Sequence, residues 1–369
     1  MRYSVTECSD FHEFLAIEEE WNELLTASGS DLPFLRHEWL SIWWRHFGPP
    51  NRLAVITGRR EGRLAFALPL MEVRRSYAGI RITVLQSLTN QHSFRFNVIV
   101  RRGEEESVLD LWNYLGERER KWHLVLLQEV PFDTTLWQTM VEAAQRNNHR
   151  VGVWRAFESP YVPITGDWDA YLATRSRQFV KNLARAPRRL GPGENRFDFE
   201  LQGKDGWDPP AVAEALEIET KGWKGKRGTA IAGDRILTAF YTTWARTAAE
   251  LGALRLSFLR CNGRRVAFEY AVEHAGRWYA MKAGYDPDFQ RCSPGQLLCR
   301  DILKYCFDHR LIEFDFLGEV TEDKARWTGQ ARKHGWLYVY DKSFLARVHH
   351  FLKFSIRSRA KTPALQVTR

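Results

Sequence analysis

Two stretches of this chain read alike. RLAVITGRREGRLAFALPL, from Arg52, and RLSFLRCNGRRVAFEYAV, from Arg255, each give an apolar strand, a glycine turn beside a basic residue, and a second apolar strand. A repeated hairpin constrains the fold more than any single residue, because each copy needs its own core and its own covering helices. The segments before the two hairpins also match as helices. The pattern therefore predicts two copies of one α/β fold, divided as 1–165 and 166–343, with a separate tail at 344–369. At 369 residues the chain is long enough for two cores.

The local patterns agree. Phe11, Phe14, Leu15, Trp21, Leu24 and Leu25 recur at helical spacing, so 10–27 is expected as one helix capped by Asp10. A second helix is expected from His37 to the Gly48-Pro49-Pro50 breaker. Strands follow at 53–57, 64–73 and 80–88, then a helix at 109–122, a strand at 123–128 and a helix at 134–147. In the second half, 168–189 reads as one helix rich in arginine, followed by a strand at 197–202 and helices at 211–222 and 236–251. Strands are expected at 254–261, 265–274 and 278–285, a helix at 294–309 and a strand at 312–317. Such alternation makes mixed α/β layers.

Composition narrows the function classes. The net charge of +9 favours anionic partners without choosing among a phosphorylated ligand, nucleic acid and an acidic membrane. Five cysteines with no CxxC and no secretory leader argue against a disulfide framework, and with the absence of a long apolar run they point to the cytoplasm. No GxSxG elbow, HExxH pair or phosphate-loop motif occurs, so a hydrolase triad, a metal centre or a P-loop has no support, and no metal is expected. From Phe344 onward, large apolar residues alternate with Lys and Arg. This segment is expected as a basic amphipathic helix, either packed on the domain or lying peripherally on an anionic membrane.

One unit carries recognisable chemistry. The strand 278–285 leads through a short loop to Ser293-Pro294-Gly295-Gln296-Leu297, where proline suits a first helical turn, Ser293 suits an N-cap and Gly295 opens the backbone to an approaching group. Backbone N–H groups and the positive end of the helix dipole then form a seat for an anion such as a pyrophosphate.

The motifs WKGKRGTA, MKAGYDPDFQRCSPGQLL, IEFDFLGE and DKARW, in this order with the second hairpin, resemble the GNAT-like acyltransferase domain of CelD-type cellulose-biosynthesis proteins. That group is similar to the FemABX aminoacyltransferases, which are built from tandem GNAT folds. The resemblance implies two tandem GNAT-like acyl-CoA N-acyltransferase domains, the first degenerate. It implies acetyl-CoA or another acyl-CoA as co-substrate, laid against strand 278–285 at Met281, Lys282, Ala283 and Gly284, with Gly284 marking a bulge or bend. Its pyrophosphate would meet Ser293, Pro294, Gly295, Gln296 and Leu297. The small-molecule or saccharide acceptor, through an amine or hydroxyl of a polysaccharide precursor, amino sugar or amino acid, would attack the thioester directly. The usual basic Q/R-x-x-G-x-G/A loop is replaced here by R-C-S-P-G-Q.

Glu269, inside an apolar strand, is the leading proton acceptor; a carboxylate there is either paired or functional. Asp315 follows the same logic and is expected to pair with Lys324 or Lys282 if structural. Lys282 is expected to meet Glu269 or Asp315. Tyr285 is the candidate donor to the leaving thiolate. Trp223, Lys224, Glu319 and Lys324 are the candidate walls of the acceptor groove. Two other readings stay open: an aminoacyl-tRNA-dependent ligase of the FemABX kind, for which the basic stretch Arg175–Arg189 would meet tRNA, and a non-catalytic accessory subunit of polysaccharide or cellulose synthesis.

Overall fold

A computed structural model describes residues 2–77, 79–190, 196–203, 206–222, 225 and 228–356. The chain packs as two units, one holding the residues up to Ala156 together with the chain from Lys333 onward, the other running from Phe157 to Arg332. This division differs from the expected one in returning the chain after Arg332 to the first unit.

In the first unit β1 (Ser4–Cys8), β2 (Arg52–Arg60), β3 (Arg63–Tyr77) and β4 (Ile80–Ser87) run antiparallel in that order. The short β5 (Ile99–Val100) pairs with β3, and β6 (Leu124–Pro131) lies parallel to β4. The second unit is entered through β7 (Arg150–Pro163). There β8 (Phe197–Gln202), β9 (Leu254–Cys261), β10 (Arg264–His274) and β11 (Arg277–Tyr285) again run antiparallel, and β12 (Glu313–Asp315) lies parallel to β11 and antiparallel to β7. Finally β13 (Ala331–Tyr340) pairs antiparallel with β6. Apart from the short β5, the described strands of each unit thus follow one order: three antiparallel pairings, one parallel pairing and one more antiparallel pairing. The repeated hairpin supplies β2–β3 in one and β9–β10 in the other.

Helices occupy matching places. Glu18–Ala27 and His37–Phe47 lie between β1 and β2, as Pro209–Lys221 and Arg235–Glu250 lie between β8 and β9. Val108–Glu117 precedes the parallel strand of the first unit, and Pro294–Asp308 that of the second. The core of the second unit joins Leu259, Ala267, Ala271, Trp278 and Phe314 of the sheet to Leu297, Ile302, Leu303 and Phe307 of helix Pro294–Asp308. Helix Arg177–Arg185 adds Phe179 and Leu183 to the same core.

Two expected helices are each divided. Asp10 caps Phe11–Leu15, its carboxylate accepting from the N–H groups of His12 and Glu13 at 2.7 and 3.0 Å, but a new helix starts at Glu18. Glu18, Glu19 and Glu20 then occupy a first turn, where the helix dipole favours acids. In the arginine-rich segment, Trp168–Ala173 ends and Ser176 starts Arg177–Arg185 by accepting from Phe179 N–H at 3.2 Å. The strands β1, β7 and β13 have no counterpart in the expected elements.

Candidate active site

The site forms where β11 loses its neighbour. Arg277, Trp278 and Tyr279 pair with Glu313, Phe314 and Asp315, and β12 then ends while β11 continues to Tyr285. The other edge of β11 stays bound to β10 throughout. Asp286 N–H donates to Val266 O of β10 at 2.8 Å. Backbone groups alternate sides along a strand, so the N–H and C=O of Ala283 and Tyr285 point towards the side that β12 has left.

Local sequence explains the divergence. The register of β10 and β11 shifts between Tyr270 and Ala271, opposite Lys282 and Ala280, so the extra residue is the buried Met281. The bulge therefore falls there and not at Gly284. Gly284 serves a close approach instead: a Cβ on it would come within 2.8 Å of the Phe268 ring and 3.4 Å of the Glu219 backbone. Beyond β12, Leu317 and Gly318 take left-handed backbone, with φ of 49° and 59°. Asp315 accepts from Leu317 N–H at 2.9 Å, and Lys324 Nζ donates to the carbonyls of Leu317 and Glu319 at 2.7 and 3.1 Å. These bonds hold the chain in a turn that a leucine alone disfavours.

The two faces of the opened sheet differ. Glu269 lies between Ala267 and Ala271 on β10, so it faces helix Pro294–Asp308 with the core. It is 6 % exposed, and Trp278 Nε1 donates to its carboxylate at 2.8 Å. Burial raises its pKa to about 7, against the opposing pull of the Trp278 hydrogen bond and the Lys324 charge. Lys324 is itself lowered by burial, while Asp315, Glu269 and Glu319 act the other way.

Lys282 stands opposite Tyr270, one position from Glu269 and hence on the other face, with its ammonium 5.5 Å from the centre of the Tyr241 ring. The expected meeting of Lys282 with Glu269 or Asp315 is replaced by this contact, because neighbouring strand positions point to opposite sides. Asp315 is fully buried, and its direct ionic partner is Arg332 at 2.8 Å, where Lys324 or Lys282 was expected. Arg332 also holds Glu313 at 2.9 Å and lies over the Tyr161 ring.

Helix Pro294–Asp308 begins beside the end of β11. Ser293 is in the left-handed region, with φ 53° and ψ 54°, and its side chain makes no cap. Its carbonyl accepts from Gln296 and Leu297 N–H at 3.0 and 3.1 Å, which replaces the expected hydroxyl cap, and its own N–H is bonded to Gln290 O. Proline has no N–H, so Gly295 offers the first-turn donor that no described residue accepts from. A Cβ on Gly295 would meet only the Tyr285 ring, at 3.7 Å. Leu297 points into the core, whereas Gln296 accepts from Trp327 Nε1 at 2.9 Å. Ser293 and Gln296 line a cleft of about 280 Å³ with Ser176, Asn182, Arg189 and Arg326. Of the two arginines in this lining, Arg189 donates to Asn182 Oδ1 at 3.3 Å and Arg326 pairs with Asp323 at 3.3 Å.

Trp223 and Lys224 lie outside the described residues. Glu319 is exposed, and it reaches the site through its carbonyl. Sequence reasoning overlooked Glu219, which is buried, packs its backbone under Gly284 and accepts from Ile231 N–H at 2.9 Å. Its signal was present: Val212, Ala215 and Leu216 mark the buried stripe of its helix, and Glu219 continues it.

The first unit treats its parallel pair differently. Beyond Gln86↔Leu126 the two strands remain linked, since Gln128 N–H donates to Ser87 Oγ at 3.2 Å and Thr89 Oγ1 lies 2.8 Å from the same hydroxyl. The gap that is open in the second unit is closed here by side chains.

Residues 175–325 match the family model described as an acetyltransferase (GNAT) domain. No curated protein matches the chain. Among solved structures, FemX is similar with a TM-score of 0.61 and 11 % identity, over 95 % of this chain and 99 % of that one. The C-terminal domain of a putative lysylphosphatidylglycerol synthetase from Agrobacterium fabrum gives 0.55 and 12 %, over 94 % and 97 %. A conserved protein of unknown function from Bacteroides thetaiotaomicron gives 0.54 and 11 %, over 92 % and 100 %. At these identities the likeness is one of fold. Residues 175–325 are thus similar to a GNAT-type acetyltransferase domain, and the mixed α/β fold around them is similar to FemX over nearly its whole length.

Proposed function

We propose that the second unit is an acyl-CoA-dependent N-acyltransferase acting on an amine or hydroxyl of a saccharide, polysaccharide precursor or amino acid. The observation that carries this reading is the free edge of β11 ending beside the Gly295 helix start. The pantetheine arm of an acyl-CoA adds to such an edge as a further strand. Its phosphates suit the Gly295 N–H and the neighbouring cleft that Ser293, Gln296, Arg189 and Arg326 line. Acetyl-CoA is the simplest donor, and the motifs shared with the CelD-like group favour a polysaccharide-related acceptor. The first unit is then a degenerate copy, its gap stitched by Ser87 and Gln128.

In the reaction the acceptor attacks the thioester carbonyl while Glu269, directly or through water, takes its proton. An outward N–H of β11, at Ala283 or Tyr285, stabilises the oxyanion. Collapse breaks the C–S bond, and the Tyr285 hydroxyl, which no described residue bonds, protonates the thiolate. Asp315 is committed to Arg332 and the Leu317 turn, so we give it a positioning role. Lys324, Glu319, Trp223 and Lys224 remain the candidates for the acceptor side.

Acyl-CoA raises the melting temperature of the full chain if this reading holds, by the equivalent of about 2.7 kcal/mol at a hundredfold excess over Kd. Gly295→Asp, which puts a carboxylate at the anion seat without crowding, removes the shift, whereas Gly295→Ala keeps most of it. No shift with short or long acyl-CoA donors contradicts the reading.

A second reading has its own observation. Arg177, Lys181, Arg185, Arg188 and Arg189 are all exposed on one arginine-rich segment, as a tRNA-dependent ligase would require. A melting shift with aminoacyl-tRNA that disappears at moderate salt, in the absence of one with acyl-CoA, favours it.

A further inference from the structure

The last described helix has two apolar faces, and among the described residues only one of them is covered. Phe344–His350 continues as a wider helical turn over Phe351–Ile356. Its inner face is anchored: Ala346 is fully buried, His349 Nδ1 lies 3.1 Å from the Tyr340 hydroxyl, and the Phe354 ring meets Tyr338 edge-on at 5.4 Å between centroids. Lys353 lies across the Tyr338 ring at 4.4 Å. The helix is thus fixed on the sheet of the first unit.

The opposite face is made of large hydrophobic groups. Phe344 is 77 % exposed, Phe351 57 % and Leu345 38 %. Phe344 and Phe351 are seven residues apart, which places them two turns apart on one side. Lys342 and Arg347 are exposed beside them. From Lys342 to the C-terminus the sequence contains no Asp or Glu, and Arg357, Arg359 and Lys361 follow within a few residues. A protein surface rarely leaves two phenylalanines this open on a fixed helix.

The geometry points to this face as a docking surface for an anionic lipid membrane. The apolar side chains enter the headgroup–acyl boundary, while the surrounding cations meet lipid phosphates. Charge decides between occupants: a second copy of this face would set Lys342 and Arg347 against their own equivalents, whereas an acidic bilayer neutralises them. This placement is independent of the catalytic reading, since the helix belongs to the first unit and the candidate active site to the second.

Cosedimentation of the full chain with phosphatidylglycerol–phosphatidylcholine vesicles and with pure phosphatidylcholine vesicles tests it. Binding to the mixed vesicles, weakened by salt, is expected, with little to the neutral ones. Lys342→Ala and Arg347→Ala each lower partitioning about fivefold. Phe344→Ser/Phe351→Ser lowers it by about tenfold or more. Both phenylalanines are exposed, so the urea midpoint of the double variant stays at the wild-type value and separates lost docking from lost folding. Equal binding to both vesicle types, or binding to neither, overturns the proposal. So does lipid-free self-association that Phe351→Ser abolishes, which would assign the face to a second copy.

Discussion

Glu269 occupies a place that costs a carboxylate its charge, and its consequences can be measured. Its pKa of about 7 means that the proton-accepting form is gained as pH rises through neutrality. If Glu269 is the base, the rate of acyl transfer rises with pH through about 7, and Glu269→Gln lowers kcat by a factor of about 10² to 10⁴ and flattens that limb. Stability moves the other way. A carboxyl raised from 4.5 to about 7 on folding stabilises the native state below its unfolded pKa, and this is lost as pH rises through the folded value. The wild type therefore loses up to about 3 kcal/mol across that window that the Gln variant does not, read by urea unfolding at several pH values. Trp278→Phe provides a finer check. Removing the indole donor takes away a bond that favours the charged form, so the acid limb moves to higher pH. A limb unchanged by Trp278→Phe would mean that another group titrates.

At the scale of elements, the feature that opens the site is the early end of β12. Asp315 and Glu313 face Arg332, which enters from the start of β13, and Asp315 also fixes the Leu317 turn. Arg332→Ala removes the guanidinium that buried Asp315 and Glu313 share, and a loss of about 3 to 5 kcal/mol in chemical denaturation is expected. A loss below about 1 kcal/mol would show that the turn is held by other means. This part of the site was hidden in the sequence. Arg332 lies in β13, a strand read as none, because AlaArgLysHis at its start lacks the apolar alternation that identifies strands. The helix Pro294–Asp308 and the three strands before it were legible, since turn glycines and apolar runs coincide there. The hydroxyl cap expected of Ser293 was not, because its left-handed backbone turns the carbonyl onto the first turn instead. A bulge or bend was expected at Gly284, whereas pairing register, which a single sequence does not print, puts the bulge at Met281.

At the scale of the whole molecule, the repeated hairpin announced two similar units, and the strand pairings of both follow the same order. What the repeat left unstated is that the chain returns to its first unit after Arg332 to supply β13. The two units also differ where it matters. Ser87, Thr89 and Gln128 close the parallel pair of the first, while in the second no described strand pairs with the outer edge of β11 beyond Tyr279. The central claim is that acyl-CoA occupies that open edge and only that one. Amide hydrogen exchange on the full chain, with and without acyl-CoA, tests it directly. Slowed exchange confined to Ala283, Tyr285 and the Gly295 turn, with β4 and β6 unchanged, is the predicted result. Unchanged exchange at β11 under saturating acyl-CoA, or protection appearing at β4 and β6 instead, would contradict the account.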